Sequence, residues 1–393
     1  MIPGYYEFRS ATKVLSGTRA IEHVPFELAN LGVTRVMVIT DARVRALGLV
    51  APVLNALADS SINVAVVFDD VPVDSSVETA NTAAAQYRAA SCQGIVAVGG
   101  GSVLDTAKGV ALALASYGAD LMSMQGSEIL SHTPLPPIVA VPTTAGTGSE
   151  VTGAAVIKDT ARGVKLAFVS FDLAPAVAVL DPRMTLGLPP RATASTAMDA
   201  LVHAVESASG RQRNPLSDAY AHAAMTLIRE HLRDTLVDGG HERGRMALAN
   251  AALMAGIAFS NSQVGVVHAI GHACGAVAHV AHGDAMAILL PHGMRFNLDV
   301  CAEAYAALLL PLAGADIFAR TAAPARAAAA IDAVEALLTV GAAHGLPRRL
   351  REVGVQPNQH DAIATLAIND AAVSMNVKNI TIADARAILQ AAQ

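Results

Sequence analysis

At 393 residues, with 53% hydrophobic and 15% charged side chains, the chain is long enough for two hydrophobic cores and too apolar for a disordered protein. A formal net charge of −6 and the lack of a basic run argue against nucleic acid or an anionic membrane as a partner. Three scattered cysteines, Cys92, Cys274 and Cys301, imply no disulfide framework and a reducing compartment. The opening MIPGYYEFRSATK lacks the charged and apolar regions of a signal peptide, and apolar runs such as AYAALLLPLAGADIF are too short to span a bilayer, so a cytoplasmic location is expected.

Residues 5–15 (YYEFRSATKVL) carry strand-forming side chains, and an unpaired strand there would invite pairing with a second subunit. Short β-branched runs then recur between helical segments, at 35–40 (RVMVIT), 63–68 (NVAVVF), 94–98 (GIVAV), 137–141 (PIVAV) and 176–180 (AVAVL). Strands alternating with helices predict a parallel sheet covered on both faces. Asp41 follows the first run, where a carboxylate can accept hydrogen bonds from a ribose and repel a 2′-phosphate, or can cap the helix that follows. The run at 94–98 leads into Gly99-Gly100-Gly101-Ser102 and a helical segment. Free backbone N–H groups at that helix start would face an anion such as a pyrophosphate, although a plain glycine turn has the same sequence. A second loop, PTTAGTGSE at 142–150, follows the next strand and is rich in hydroxyls and small residues. After Pro189 and Pro190 the pattern becomes almost purely helical. The expected architecture is therefore α/β plus all-α: a Rossmann-like nucleotide domain over 1–187 and a helical metal-binding and substrate domain over 188–393.

Within the helical half, Asp199 and His203 stand four residues apart, which places both on one face of a helix. His268 and His282, in the glycine- and alanine-rich stretch HAIGHACGAVAHVAHGDA, complete a set of one oxygen and three nitrogen ligands. Such a set suits Fe(II), Zn(II) or a related divalent metal and leaves room for a substrate oxygen.

Taken together, GGGSVLDTAKG (99–109), PTTAGTGSEVT (142–152), MDALVHAVES (198–207) and HAIGHACGAVAHVAHGDAMAILLPHGMRFN (268–297) make the chain resemble the iron-containing, or group III, alcohol dehydrogenase family, over nearly its whole length. The resemblance implies an active site in a cleft between the two domains, with Asp199, His203, His268 and His282 as metal ligands. It further implies that Gly100, Gly101, Ser102, Thr143, Thr144, Thr147 and Thr152 contact the cofactor, that Asp41 reads the ribose, that Lys165 lies near the nicotinamide side and that Phe259 lines the substrate pocket. His272, one helical turn after His268, matches the histidine beside the metal and is the candidate for relaying a proton.

Several positions depart from the family pattern. Asp74 and Ser75 replace Asn-Pro and would put an acidic contact near the cofactor, Ala281 replaces a proline before His282, Asn376-Val377-Lys378 replaces Asn-Pro-Arg, and Ala372 occupies a position able to bear a bulkier pocket residue. The expected reaction is hydride transfer between a small, weakly polar alcohol and NAD(H), preferred over NADP(H), giving an aldehyde or ketone. A hydroxyacid–oxoacid transhydrogenase of the same superfamily is the alternative, whereas Asp199 argues against a metal-free maleylacetate reductase and the apolar 259–297 region against a dehydroquinate-type cyclase. A non-catalytic metal or nucleotide sensor fits poorly with a full ligand set beside an intact cofactor loop. Assembly as a homodimer or a higher homo-oligomer is expected from the resemblance and from the apolar composition.

Overall fold

Strands form where β-branched runs can be buried. In the computed structural model, which describes residues 3–116, 120–127, 134–162 and 164–393, the strands are β1 (Lys13–Ser16), β2 (Arg35–Ile39), β3 (Asn63–Phe68), β4 (Gly94–Gly99), β5 (Gly126–Ser127), β6 (Ile138–Pro142), β7 (Ala154–Asp159), β8 (Val164–Val169) and β9 (Val177–Leu180). Six of them make one sheet in the order β1-β9-β6-β4-β2-β3, with every neighbouring pair parallel. Helices α1 (Val24–Asn30), α2 (Ala42–Ala46), α3 (Ala51–Ala58), α4 (Val77–Ala89) and α5 (Gly101–Ala115) connect them.

Alternation along each strand sorts its side chains onto two separate cores. Met37, Ile39, Ile95, Ala97, Ile138 and Ala140 pack with Ala84 of α4 and Leu104 of α5. Their neighbours Val36, Val38, Val96, Val98, Val139 and Val141 pack on the other face with Leu28 of α1 and Leu57 of α3. Burial on both faces is why the central runs read as continuously apolar.

Two features differ from expectation. Of residues 5–15, only Lys13–Leu15 are strand, as part of β1; β1 joins the chain's own sheet as an edge, Lys13 opposite Val177 through Ser16 opposite Leu180. Its partner β9 is four residues long, so the preceding residues have no strand to pair with. A β7–β8 antiparallel hairpin, extended by β5 in parallel on β8, forms a second, three-stranded sheet. Its signal was present in the alternation of AAVIKD, where Ala155 and Ile157 point inward and Val156 outward.

The chain divides into two compact units: Arg9–Gly187, and Leu188–Gln393 joined by the stretch up to Phe8. Phe8 stacks on Tyr220 with ring centroids 6.0 Å apart, so the N-terminal residues belong with the helices. That unit is built from α6 (Pro190–Ser209), α7 (Pro215–Val237), α8 (Glu242–Ser262), α9 (Val266–Ala278), α10 (His282–Ala313), α11 (Ala315–Arg320), α12 (Arg326–Ala342), α13 (His360–Ala367), α14 (Ala372–Met375) and α15 (Ile382–Ala392). By length and composition alone α10, which takes in the apolar run at 304–318 as far as Ala313, is long enough to cross a membrane, a test that the core helix of a soluble protein also passes. Its first turns, from Asp284 to Pro291, are buried all round and α10 packs on other helices of the unit, as a core helix does.

Candidate metal centre and nucleotide loops

Three helices bring the four proposed ligands together. Asp199 and His203 lie one turn apart on α6, His268 lies on α9 and His282 is the first residue of α10. One ligating atom from each falls within 4.8 Å of all the others. His203 stacks on His268, with centroids 4.6 Å apart, and Phe259 covers the other side of the His203 ring at 4.3 Å. The fit to a metal is visible in what lacks a partner: Asp199 Oδ1, His203 Nδ1 and His268 Nε2 are buried without a hydrogen bond, although His282 Nε2 stands 3.2 Å from Asp199 Oδ1. Orphaned buried polar atoms are costly, and a cation shared by this cluster would satisfy them.

Electrostatics agree with that donor set. Burial pushes His203 down to about 3 and, with the neighbouring His282 and His272, holds His268 far below the ordinary imidazole range. Neutral imidazoles keep the lone pair that a metal needs. Burial opposes ionisation of Asp199, yet His203 and His282 hold it below the usual carboxylate range.

Around the ligands, two carboxylates escaped the sequence reading. Glu206, one turn beyond His203 on α6, accepts the Val267 N–H at 2.7 Å and lies 2.6 Å from His268 Nδ1, which leaves Nε2 of that ring for the cluster. Asp370 lies 2.9 Å from Nδ1 of His272, whose ring stacks on His282 with centroids 5.5 Å apart. The departures have local explanations. Asp284 accepts bonds from Ser195 Oγ at 2.8 Å and from Arg191 at 2.6 Å, fixing the first turn of α10 where Ala281 gives no cap. At Gly283 a Cβ would meet Ser195 Oγ at 2.6 Å and its backbone carbonyl oxygen at 2.7 Å, so α10 starts in direct contact with α6. Asn376 and Asn297 exchange amide hydrogen bonds of 2.8 and 3.0 Å, and Lys378 pairs with Asp299 at 3.0 Å. Ala372 is buried, and its N–H donates to Asp370.

In the α/β unit, Gly100 is the N-cap of α5, and the first N–H groups of the helix follow at Gly101 and Ser102. Gly101 has a packing reason as well: a Cβ there would meet Thr147 Cγ2 at 2.9 Å, so the two loops touch at this point. Thr143 donates its N–H to Gly99 O at 3.0 Å, a Cβ at Gly100 would rest against Thr144, and Thr147 Oγ1 accepts the Ser149 N–H at 3.3 Å. The Ser102 hydroxyl is used on Val73 O, and Thr152 Oγ1 accepts from Lys108. Asp74 and Lys165 pair with each other at 3.4 Å. Asp41 caps α2 by accepting the Val44 N–H at 2.8 Å.

The comparisons with known proteins follow the same division of the chain. Residues 11–182 match the iron-containing alcohol dehydrogenase family and residues 193–393 match the C-terminal part of the Fe-containing alcohol dehydrogenase family. The chain is 38% identical over 356 residues to 1,3-propanediol dehydrogenase of Klebsiella pneumoniae, covering 90% of each, and 33% identical to the NAD-dependent methanol dehydrogenase of Bacillus methanolicus, covering 95% of this chain and 96% of that one. A crystal structure of 1,3-propanediol oxidoreductase superposes with a TM-score of 0.94 at 34% identity, covering 99% of this chain and all of that one. The fold and the cluster define a dinucleotide-linked metal oxidoreductase. The chain belongs to the iron-containing alcohol dehydrogenase family, whose members interconvert alcohols and aldehydes.

Proposed function

We propose that this enzyme is an Fe(II)-dependent, NAD-linked dehydrogenase of a small, weakly polar alcohol or diol, in which Asp199, His203, His268 and His282 hold the metal. The observation that carries this reading is the set of buried, unpaired polar atoms on Asp199, His203 and His268. When bound, the metal supplies polarisation of the substrate oxygen and the nicotinamide accepts or returns the hydride. Glu206 fixes the tautomer and orientation of His268. Phe259 presents an apolar ring beside His203 and would line the substrate site. His272 is held at Nδ1 by Asp370 and is exposed, so its Nε2 is the atom that would exchange the hydroxyl proton with solvent.

For the cofactor, the Gly100–Ser102 helix start offers N–H groups to a pyrophosphate, with Thr143, Thr144, Thr147 and Thr152 on the adjoining loop and the Asp74–Lys165 pair as further contacts. Asp41 favours NAD because its carboxylate is fixed just beyond β2 by capping α2, and Arg45, a cation that could serve a 2′-phosphate, is taken up by Asp69. Zn(II) binds such donor sets more tightly than Fe(II), so cellular supply decides the loading. Support for a short alcohol comes from the propanediol and methanol dehydrogenases that the chain resembles. We place the enzyme in the cytoplasm, in keeping with three buried free cysteines, and as a homodimer, in keeping with the edge position of β1 and the exposure of Tyr5. The test is metal analysis of anaerobically purified protein together with a screen of short alcohols, diols and aldehydes against NAD and NADP. Turnover of these substrates only when the metal is present supports the reading, and full turnover by metal-free protein overturns it.

A further inference from the structure

Helix α6 carries Arg191, Ser195, Asp199 and His203 at successive four-residue steps, which sets them in one polar stripe along its length. The last two belong to the metal cluster, and the first two have no part in the chemistry described above. Three consecutive residues at the start of α10 bear on that stripe. His282 Nε2 stands 3.2 Å from Asp199 Oδ1, a Cβ at Gly283 would run into Ser195, and Asp284 accepts from Ser195 Oγ with one carboxylate oxygen and from Arg191 with the other. Arg191 is itself tied to the segment after α12, donating through Nε to Gly345 O at 3.1 Å. Asp284 is 4% exposed, and a carboxylate taken that far out of water costs stability unless it is paired.

His282 is the ligand that needs such support. Asp199, His203 and His268 lie inside helices and are buried, whereas the His282 side chain is 43% exposed, opens α10 and follows a connection of residues 279–281 alone. Within that connection His279 takes a left-handed φ of 55°, which a residue other than glycine seldom adopts, and Ala281 gives no side-chain cap. We infer that Asp284, held by Ser195 and Arg191, is a positioning residue for the metal centre: it fixes the start of α10 on α6 so that the His282 imidazole meets Asp199, a role that rests on the metal assignment proposed above. Ala281 offers a second way to impose the same restraint. Its φ of −60° is the value that a proline ring enforces, so a proline there would stiffen the entry to His282 from the opposite side.

The test is Zn(II) affinity, read by competition with a chelator, for wild type, Asp284→Ala, Ala281→Pro and the double variant, with melting temperatures of the metal-free and metal-loaded forms taken in parallel. Asp284→Ala is expected to weaken Zn(II) binding about tenfold, the lower end of what lost support behind a metal-bound histidine costs. Ala281→Pro alone should change affinity by no more than about twofold, yet in the double variant it should recover about threefold of the loss, because two restraints on one ligand are not additive. A role in stability alone would not produce that rescue. Should Asp284→Ala fail to fold, Ser195→Ala removes one of the two bonds and should weaken Zn(II) binding in the same direction, again with recovery by Ala281→Pro. A lower melting temperature in both forms with unchanged Zn(II) affinity, or a loss of affinity that Ala281→Pro leaves untouched, would overturn the positioning role. A wild type that binds neither Zn(II) nor Fe(II) would instead overturn the metal assignment itself, so the two failures are distinguishable.

Discussion

The metal cluster of the helical unit and the loop cluster of the α/β unit treat their buried polar groups in opposite ways. In the helical unit, Asp199, His203 and His268 bury polar atoms that no hydrogen bond satisfies. In the α/β unit, the polar groups at the end of the 142–152 loop satisfy one another through Lys108 and Asp105. The first arrangement is incomplete without a cation and should gain stability when one binds. The second is complete by itself and should be ready for a dinucleotide whether or not a metal is present.

The strongest way to break this contrast is to remove a ligand. His268→Ala or His282→Ala should strip the metal and nearly abolish turnover, while NADH binding changes by no more than about threefold, under 1 kcal/mol. Metal analysis and fluorescence titration of the same sample check both halves. A milder cut is Glu206→Gln, which keeps the shape but weakens the hold on His268. Metal affinity should fall by about 10–100-fold, the usual effect of losing a partner behind a metal-bound histidine, as read by competition with a chelator. Smaller again is Asp41→Gly, which should narrow the preference for NAD over NADP by about tenfold in kcat/KM, since it relieves repulsion of a 2′-phosphate. Equal discrimination in the variant would leave Asp41 as a helix cap only.

The smallest effect concerns pH. Glu150, buried in the same loop, is pushed by burial from an ordinary 4.5 up to about 7. Between those values the folded chain keeps a proton that the unfolded chain has lost, so this group's contribution to stability falls as pH rises through that window. Glu150→Gln has no such proton to lose. Its melting temperature relative to wild type should therefore climb between pH 5 and pH 7.5, and a constant difference would show that Glu150 is ionised throughout.

Much of this was legible in the sequence because the physics behind it is local. The central strands announced themselves through runs buried on both faces, and Asp199 and His203 through helical spacing. Glu206 was harder to see, since a glutamate on a helix is ordinarily a solvated residue. Its signal was its setting, a single carboxylate among small and apolar residues in ALVHAVESAS, all of which are buried. Asp370 gave no signal at all, because its partner His272 is 98 positions away and only tertiary packing joins them. The same holds for Lys108, whose three partners lie more than 40 positions along the chain. For residues 5–12, strand propensity was real but β9 offered no residues to pair with.

Chelation of the purified enzyme, with metal content, melting temperature, NADH binding and alcohol oxidation followed in one titration, decides whether the four-residue cluster holds a metal on which both stability and turnover depend. Stripping the metal should abolish oxidation and lower the melting temperature while NADH still binds, and restoring a divalent metal should recover both lost properties. Full oxidation by protein shown to be metal-free, or an unchanged melting temperature on complete removal of the metal, would contradict that dependence.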